Sequence, residues 1–208
     1  MNANNLYSKC EFSEFQLNAM RQIYYKYFAK NMTSDYEGRA IVAIWEKDGI
    51  WEPSKGKDIN HFNKGFVSEE CRLDPLWKQF SDLLPYMSKS ASITKINPGQ
   101  IMSPHVDRKW RPEAIYFPID GCSELCVSEY YDLPKKQTNN NQVISNFPLP
   151  ICTYSVYGNA YLTNVHEWHG VKNLSGQERI AVGWNFKNWK WDYKHCKQIL
   201  KRLGYIDE

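Results

Sequence analysis

Long apolar runs are absent from this 208-residue chain. No stretch approaches the roughly 18 uninterrupted apolar residues of a membrane helix. The opening residues MNANNLYSKC also lack the apolar segment of a secretory signal. One-sided charge is missing too. A formal net charge of +3 is too small to argue for nucleic acid or a membrane surface as partner. Six cysteines are present, but none forms a C-x-x-C pair, which excludes the usual structural zinc spacing. Cys122 and Cys126, four apart, would share one face of a strand, and buried reduced thiols are the expectation for all six. No internal repeat is visible. These absences together predict a reduced, intracellular, cytoplasmic protein with neither a membrane nor a nucleic-acid partner.

Aromatic residues, by contrast, are abundant: 8 Trp, 14 Tyr and 9 Phe. They suit a β core of large side chains, or an aromatic-walled pocket. The length suits one structural domain. Residues 13–31 read as an amphipathic helix, with Ser13 as N-cap and Phe15, Met20, Ile23 and Tyr27 on one stripe. Residues 39–45 read as a strand. Residues 46–66, with Gly49, Pro53, Gly56 and Gly65, read as a long loop. Asp74 and Pro75 are placed to open a second helix running to about Met87. From residue 91 the pattern changes to eight or nine short β-rich runs separated by turn signals. They predict a β-sandwich or jelly roll. A surface loop around one short strand is expected over 132–150, and a basic helix over 192–203. The organisation expected is an N-terminal helical and loop extension (1–90), a β core (91–190) and a C-terminal helix (191–208).

One constellation carries chemistry. His105-Val-Asp107 puts an imidazole and a carboxylate two residues apart at a strand end, both able to turn toward one point. On that strand, alternation places Ile101, Ser103 and His105 on one face. A second histidine is offered by His166 or His169. Residues three apart in a strand face opposite ways, so one metal cannot take both, and His169 is favoured. A turn at Ser175-Gly176 then leads to a strand beginning at Arg179, and read as a hairpin it places Arg179 beside His169. In the strand 179–186 the even positions Ile180, Val182, Trp184 and Phe186 are large and apolar. The odd positions hold Arg179, Ala181, Gly183 and Asn185, a poor core but room for a small polar molecule. Two histidines and one carboxylate suit an iron(II) centre with open coordination positions. Weaker candidates for the pocket are Lys95, Arg108, Lys109, Trp110, Arg111, Tyr116, Tyr154, Asn164 and Trp168, while His61, His166 and His195 read as structural or surface histidines.

H-x-D, a distant histidine and an arginine about ten residues on, in a β-rich segment behind helices, resembles the iron(II)/2-oxoglutarate-dependent oxygenases. The wording is most similar to compact aspartyl/asparaginyl β-hydroxylase-like members. It rests on Ile96-Asn97-Pro98-Gly99 before Pro104-His105-Val106-Asp107, on Ile119-Asp120-Gly121-Cys122, and on His169-Gly170-Val171-Lys172-Asn173 leading to Arg179-Ile180. It covers about residues 91–189. The resemblance implies a double-stranded β-helix, mainly β with flanking helices, and a triad of His105, Asp107 and His169 on Fe(II). It also implies 2-oxoglutarate as co-substrate, its far carboxylate paired with Arg179, and O2 as oxidant. Release of succinate and CO2 would accompany hydroxylation of an unactivated C–H in a protein side chain or small metabolite. Two departures stand out. Many members carry Ser or Thr two residues after the arginine, where this chain has Ala181, and some β-hydroxylases lack the carboxylate that Asp107 supplies here. The competing readings are a jelly-roll binding module that has lost turnover and a cupin-like metalloenzyme without 2-oxoglutarate.

Overall fold

Short runs of β-branched and aromatic residues, punctuated by glycine and proline, pair into two antiparallel sheets. The structure is a computed structural model that describes residues 5–29, 43–47, 50–53, 62–66, 73–107, 112–134, 142–143 and 148–207. The strands in chain order are β1 (Tyr7–Cys10), β2 (Ala43–Lys47), β3 (Ile50–Pro53), β4 (Phe62–Phe66), β5 (Met87–Ile96), β6 (Gln100–Val106) and β7 (Ala114–Asp120). They continue with β8 (Cys126–Tyr130), β9 (Gln142–Val143), β10 (Cys152–Ser155), β11 (Ala160–Thr163), β12 (His169–Asn173) and β13 (Arg179–Phe186). One sheet has the order β1-β11-β7-β13-β5-β4. The other runs β10-β8-β12-β6-β2-β3, with β9 also pairing β6. From β5 onward the chain changes sheet at almost every connection. That is the winding of a double-stranded β-helix, the jelly roll.

The first sheet buries its outer face under helices. Ile180, Val182, Trp184 and Phe186 of β13 join one apolar cluster with Met20 and Ile23 of α1 (Glu14–Ile23), and with Cys196, Ile199 and Leu200 of α2 (Tyr193–Arg202). The strict alternation of β13 therefore separates a core face from an inner face. α1 starts where Ser13 and Gln16 cap each other reciprocally, at 3.1 and 3.2 Å. It continues into a π-helical turn, Tyr24–Phe28, that buries Tyr24, Tyr27 and Phe28.

Two expectations are corrected. The segment 46–66 is not one loop, since it holds the end of β2, all of β3 and β4, which extend both sheets. The segment 74–87 is not an α-helix. Its regular part is a 3-10 turn, Trp77–Phe80, inside a run of tight turns. The buried residues Trp77, Phe80 and Leu83 recur every third position, which is the 3-10 period and not 3.6. Most of the 132–150 stretch (135–141 and 144–147) lies outside the described residues.

Asp74 ties this turn segment to the first helix. Its Oδ1 accepts from the Leu76 N–H at 2.8 Å, and its Oδ2 accepts from Lys26 Nζ and Tyr27 Oη, both at 2.6 Å. The Lys26 ammonium, then the Tyr27 hydroxyl and the Leu76 N–H, pull the Asp74 carboxyl down to about 2. The folded pKa lies below the unfolded one, so this stabilisation is fully present above the unfolded value of about 4 and is lost as pH falls toward 2. Asp74→Asn is therefore expected to melt earlier than wild type at pH 7. In thermal melts across pH 7 to 2, that difference should shrink toward zero at the acid end.

Candidate functional site

The inner faces of the two sheets line a cavity that is partly open to solvent. β6 contributes His105, β12 His169 and β13 Arg179. Thr94, Tyr116, Ser128, Tyr154 and Thr163 add hydroxyls to its wall, while Met102, Val156 and Val171 add apolar surface.

His169 stands opposite His105 in the β12–β6 ladder. The two rings have centroids 4.3 Å apart at an interplanar angle of 49°. Asp107, just past the end of β6, is fixed by its own N–H, which donates to the Val165 carbonyl at 3.1 Å. Its Oδ1 lies 3.8 Å from His105 Nε2. One side-chain donor atom from each of His105, Asp107 and His169 falls within 4.8 Å of the other two, and all three residues are buried. His169 Nδ1 is 2.9 Å from the carbonyl oxygen of Glu167. A carbonyl only accepts, so Nδ1 carries the ring proton and Nε2 presents its lone pair.

The face on which His105 sits differs from simple alternation. His169 pairs with His105 but Val171 pairs with Met102, so two residues of β6, Ser103 and Pro104, oppose Gly170 alone. This is a β-bulge, and Pro104, without an N–H for the ladder, suits it. The bulge flips the parity: Met102, and not Ile101, shares the cavity with His105. β12 can come this close because residue 170 has no side chain. A Cβ there would sit 2.8 Å from the Met102 carbonyl oxygen.

Arg179 reaches the cavity differently from the expected hairpin. β12 and β13 lie in opposite sheets, and Arg179 and His169 meet the same space from facing walls. The turn joining the strands is organised by the buried Asn173. Its Nδ2 donates to the carbonyls of Ile96 and Gln177, both at 2.8 Å, and its Oδ1 accepts from Ser175 N at 3.1 Å and from Ser175 Oγ at 2.7 Å. Gly121 (φ +58°) lets the turn after β7 touch the chain just before Arg179. Over Gly183 the space is taken by the Tyr116 ring and Ser92 Oγ, not left open.

Arg179 is 2 % exposed, and among the described residues its Nε and Nη1 have no hydrogen-bond partner. A guanidinium does not deprotonate in a protein. Burying one with unpaired donors costs several kcal/mol unless an anion or other acceptor meets it. Burial pushes the Tyr154 phenol and the Cys122 thiol up, and the Arg179 charge pulls each back in part. Burial likewise drives Tyr130 well above its ordinary value. Tyr130 and Tyr154 are thus neutral donors at pH 7, on the wall of a cavity that holds a permanent cation.

Of the weaker candidates, Tyr116 and Tyr154 line the cavity, whereas Lys95 does not and its neighbour Thr94 does. Trp168 packs with Val106 and Tyr131 and donates from Nε1 to the Pro134 carbonyl at 3.3 Å. Asn164 donates to the Asn5 carbonyl at 2.9 Å. His166 stands 3.8 Å from Glu113 and outside the three-residue group. His195 is exposed on α2, and His61 and residues 108–111 lie outside the described residues. Sequence reading missed Glu113, Tyr130 and Asn173, whose partners are distant in the chain. Gly170, directly after His169 inside a strand, carried a local signal of close backbone approach.

No protein-family model matches the sequence, and no curated protein matches it. Solved structures with a similar course of the chain include a Pseudomonas putida prolyl-4-hydroxylase, at 13% identity with 89% of this chain and 94% of that chain covered and a TM-score of 0.48. SnoK, a non-heme alpha ketoglutarate dependent carbocyclase from nogalamycin biosynthesis, matches at 10% identity, 89% and 81% coverage and a TM-score of 0.47. AviO1 from Streptomyces viridochromogenes Tue57 matches at 9% identity, 88% and 90% coverage and a TM-score of 0.42. Among the described residues, no helix is long and apolar enough to cross a membrane.

Two glycine substitutions separate clash from backbone strain. A Cβ at Gly121 would lie 1.9 Å from the Glu178 carbonyl oxygen, whereas one at Gly158 (φ +71°) meets nothing within 4 Å. Gly158→Ala is expected to cost about 1 kcal/mol, the left-handed penalty alone. Gly121→Ala should cost more than about 3 kcal/mol in urea unfolding, because backbone must move as well.

Proposed function

We propose that this cavity is the active site of an iron(II)- and 2-oxoglutarate-dependent oxygenase that hydroxylates an unactivated C–H of a protein side chain or small metabolite. The observation that carries the reading is the meeting, in one buried space, of a His-Asp-His group and a guanidinium with unpaired donors. Two imidazoles and one carboxylate fit iron(II) while leaving positions for other ligands. The lone pair that His169 keeps on Nε2 suits that role. His105, Asp107 and His169 would hold the metal, and Arg179 would hold the far carboxylate of the dicarboxylate co-substrate.

When bound, the metal and co-substrate supply the oxidising power, with O2 consumed and succinate and CO2 released. The protein residues do the positioning. Arg179 offers a planar fork of donors that matches a carboxylate in two parallel hydrogen bonds, which fixes the co-substrate in orientation as well as place. Tyr154, whose hydroxyl lies 2.8 Å from Thr163 Oγ1, and Tyr116 can donate to the same anion without adding charge. Met102, Val156 and Val171 keep that wall apolar and limit water. Asp107 would take a coordination position that a small residue would leave open to halide, which favours hydroxylation over halogenation. The β core over 91–190 would carry these groups, with residues 1–90 and 191–208 as its supports.

Anaerobic addition of Fe(II) and 2-oxoglutarate to the protein is expected to give a weak visible charge-transfer band, and His105→Ala should abolish it. Absence of any metal-dependent 2-oxoglutarate binding by wild type would sink the reading. Arg179→Ala is expected to weaken 2-oxoglutarate binding about 100-fold, as loss of a buried charge pair does, with partial recovery of succinate release at high 2-oxoglutarate.

A further inference from the structure

Two of the three candidate metal ligands, Asp107 and His169, are tied to one short loop, 164–168, between β11 and β12. Its Val165 carbonyl accepts from the Asp107 N–H at 3.1 Å. Its Glu167 carbonyl lies 2.9 Å from His169 Nδ1. The Val165 N–H, in turn, donates to Oε2 of Glu113 at 3.0 Å. Glu113 is 1 % exposed and immediately precedes β7, and its own carbonyl accepts from the Phe186 N–H of β13 at 2.9 Å. Its backbone therefore belongs to the β7–β13 sheet, while its side chain holds a loop whose other bonds reach the strand ends of the β6–β12 sheet. A carboxylate buried this deeply is costly and needs a reason to be there.

We infer that Glu113 is a positioning residue for the ligand set. By fixing the Val165 peptide, its carboxylate sets the spacing between Asp107 and His169. The inference rests on the metal-binding role proposed above. The distance from backbone to Oε2 is what matters, so length and charge can be separated by substitution. Glu113→Gln keeps the length and an acceptor oxygen but loses the charge. Glu113→Asp keeps the charge but is one methylene short. Glu113→Met fills similar volume with no oxygen acceptor.

The test is a Co(II) titration, read by visible absorption of the bound ion, with thermal melts of each metal-free variant alongside. Glu113→Gln is expected to bind Co(II) within about threefold of wild type and with the same spectrum, because the amide oxygen still accepts the Val165 N–H. Glu113→Asp and Glu113→Met should bind at least about tenfold more weakly, with a shifted spectrum, while still folded. Glu113→Met keeps the question open to decision if the aspartate variant does not fold. Weak binding by Glu113→Gln together with normal binding by Glu113→Asp would overturn the inference in favour of a charge effect. Lower melting temperatures with unchanged Co(II) affinity and spectrum in all three would also overturn it, leaving only a structural part for Glu113. If wild type itself binds no Co(II), the metal reading falls first, and that result is separate from either of the others.

Discussion

The pairing of His169 with His105 across the β12–β6 ladder is the constraint on which the rest of the site depends. Two imidazoles are brought to a centroid separation of 4.3 Å by backbone pairing alone. That pairing needs the close approach that Gly170 permits and the extra residue that the bulge at Ser103 and Pro104 inserts. Asp107 is then placed by a backbone bond to Val165. Sites built on paired strands are held more precisely than sites on loops.

Opposite this pair lies a different kind of demand. Arg179 brings a permanent charge into the interior, and the cost must be met by the rest of the fold. β13 shows how. The even positions of the strand, Ile180, Val182, Trp184 and Phe186, point the other way, into an aromatic and aliphatic cluster that includes the Trp77 and Trp184 rings, 4.7 Å apart. One strand therefore carries both a row of buried apolar side chains and a buried guanidinium with unpaired donors. Their proximity is not incidental: a rigidly packed strand is what keeps a buried guanidinium from relaxing toward solvent.

How much of this was legible in the sequence depended on whether the signal was local. The alternation of 179–186 was local, and it assigned both faces of β13. The N-cap at Ser13 was local, and so was H-x-D. His105, His169 and Arg179 do line one cavity, and Asp107 lies beside the two histidines. The face of Ile101 was misread because a bulge is defined by the partner strand, which no single strand reveals. The 46–66 segment was misread because Pro53 and Gly65 fall within short edge strands, where such residues are tolerated. The 74–87 segment looked helical on its caps, but its buried positions follow a period of three. Glu113 and Asn173 were invisible for the same physical reason as the sheet placement of β12 and β13. Glu113 meets Val165 and Asn173 meets Ile96 from 52 and 77 residues away, and pattern reading over a window cannot see such pairs.

The N-terminal strand has a consequence in time. β1 pairs with β11, Tyr7 opposite Thr163, and the Leu6 carbonyl accepts from both the Tyr130 hydroxyl at 2.6 Å and the Asn164 N–H at 2.9 Å. β1 thus finds its partner strand only once residues 160–163 have been made. At roughly 5–20 residues per second of synthesis, β1 waits for many seconds with its edge unpaired. The loop that anchors Asp107 cannot take its final form until that wait ends. This strand therefore closes late in synthesis, and the loop that fixes Asp107 settles with it.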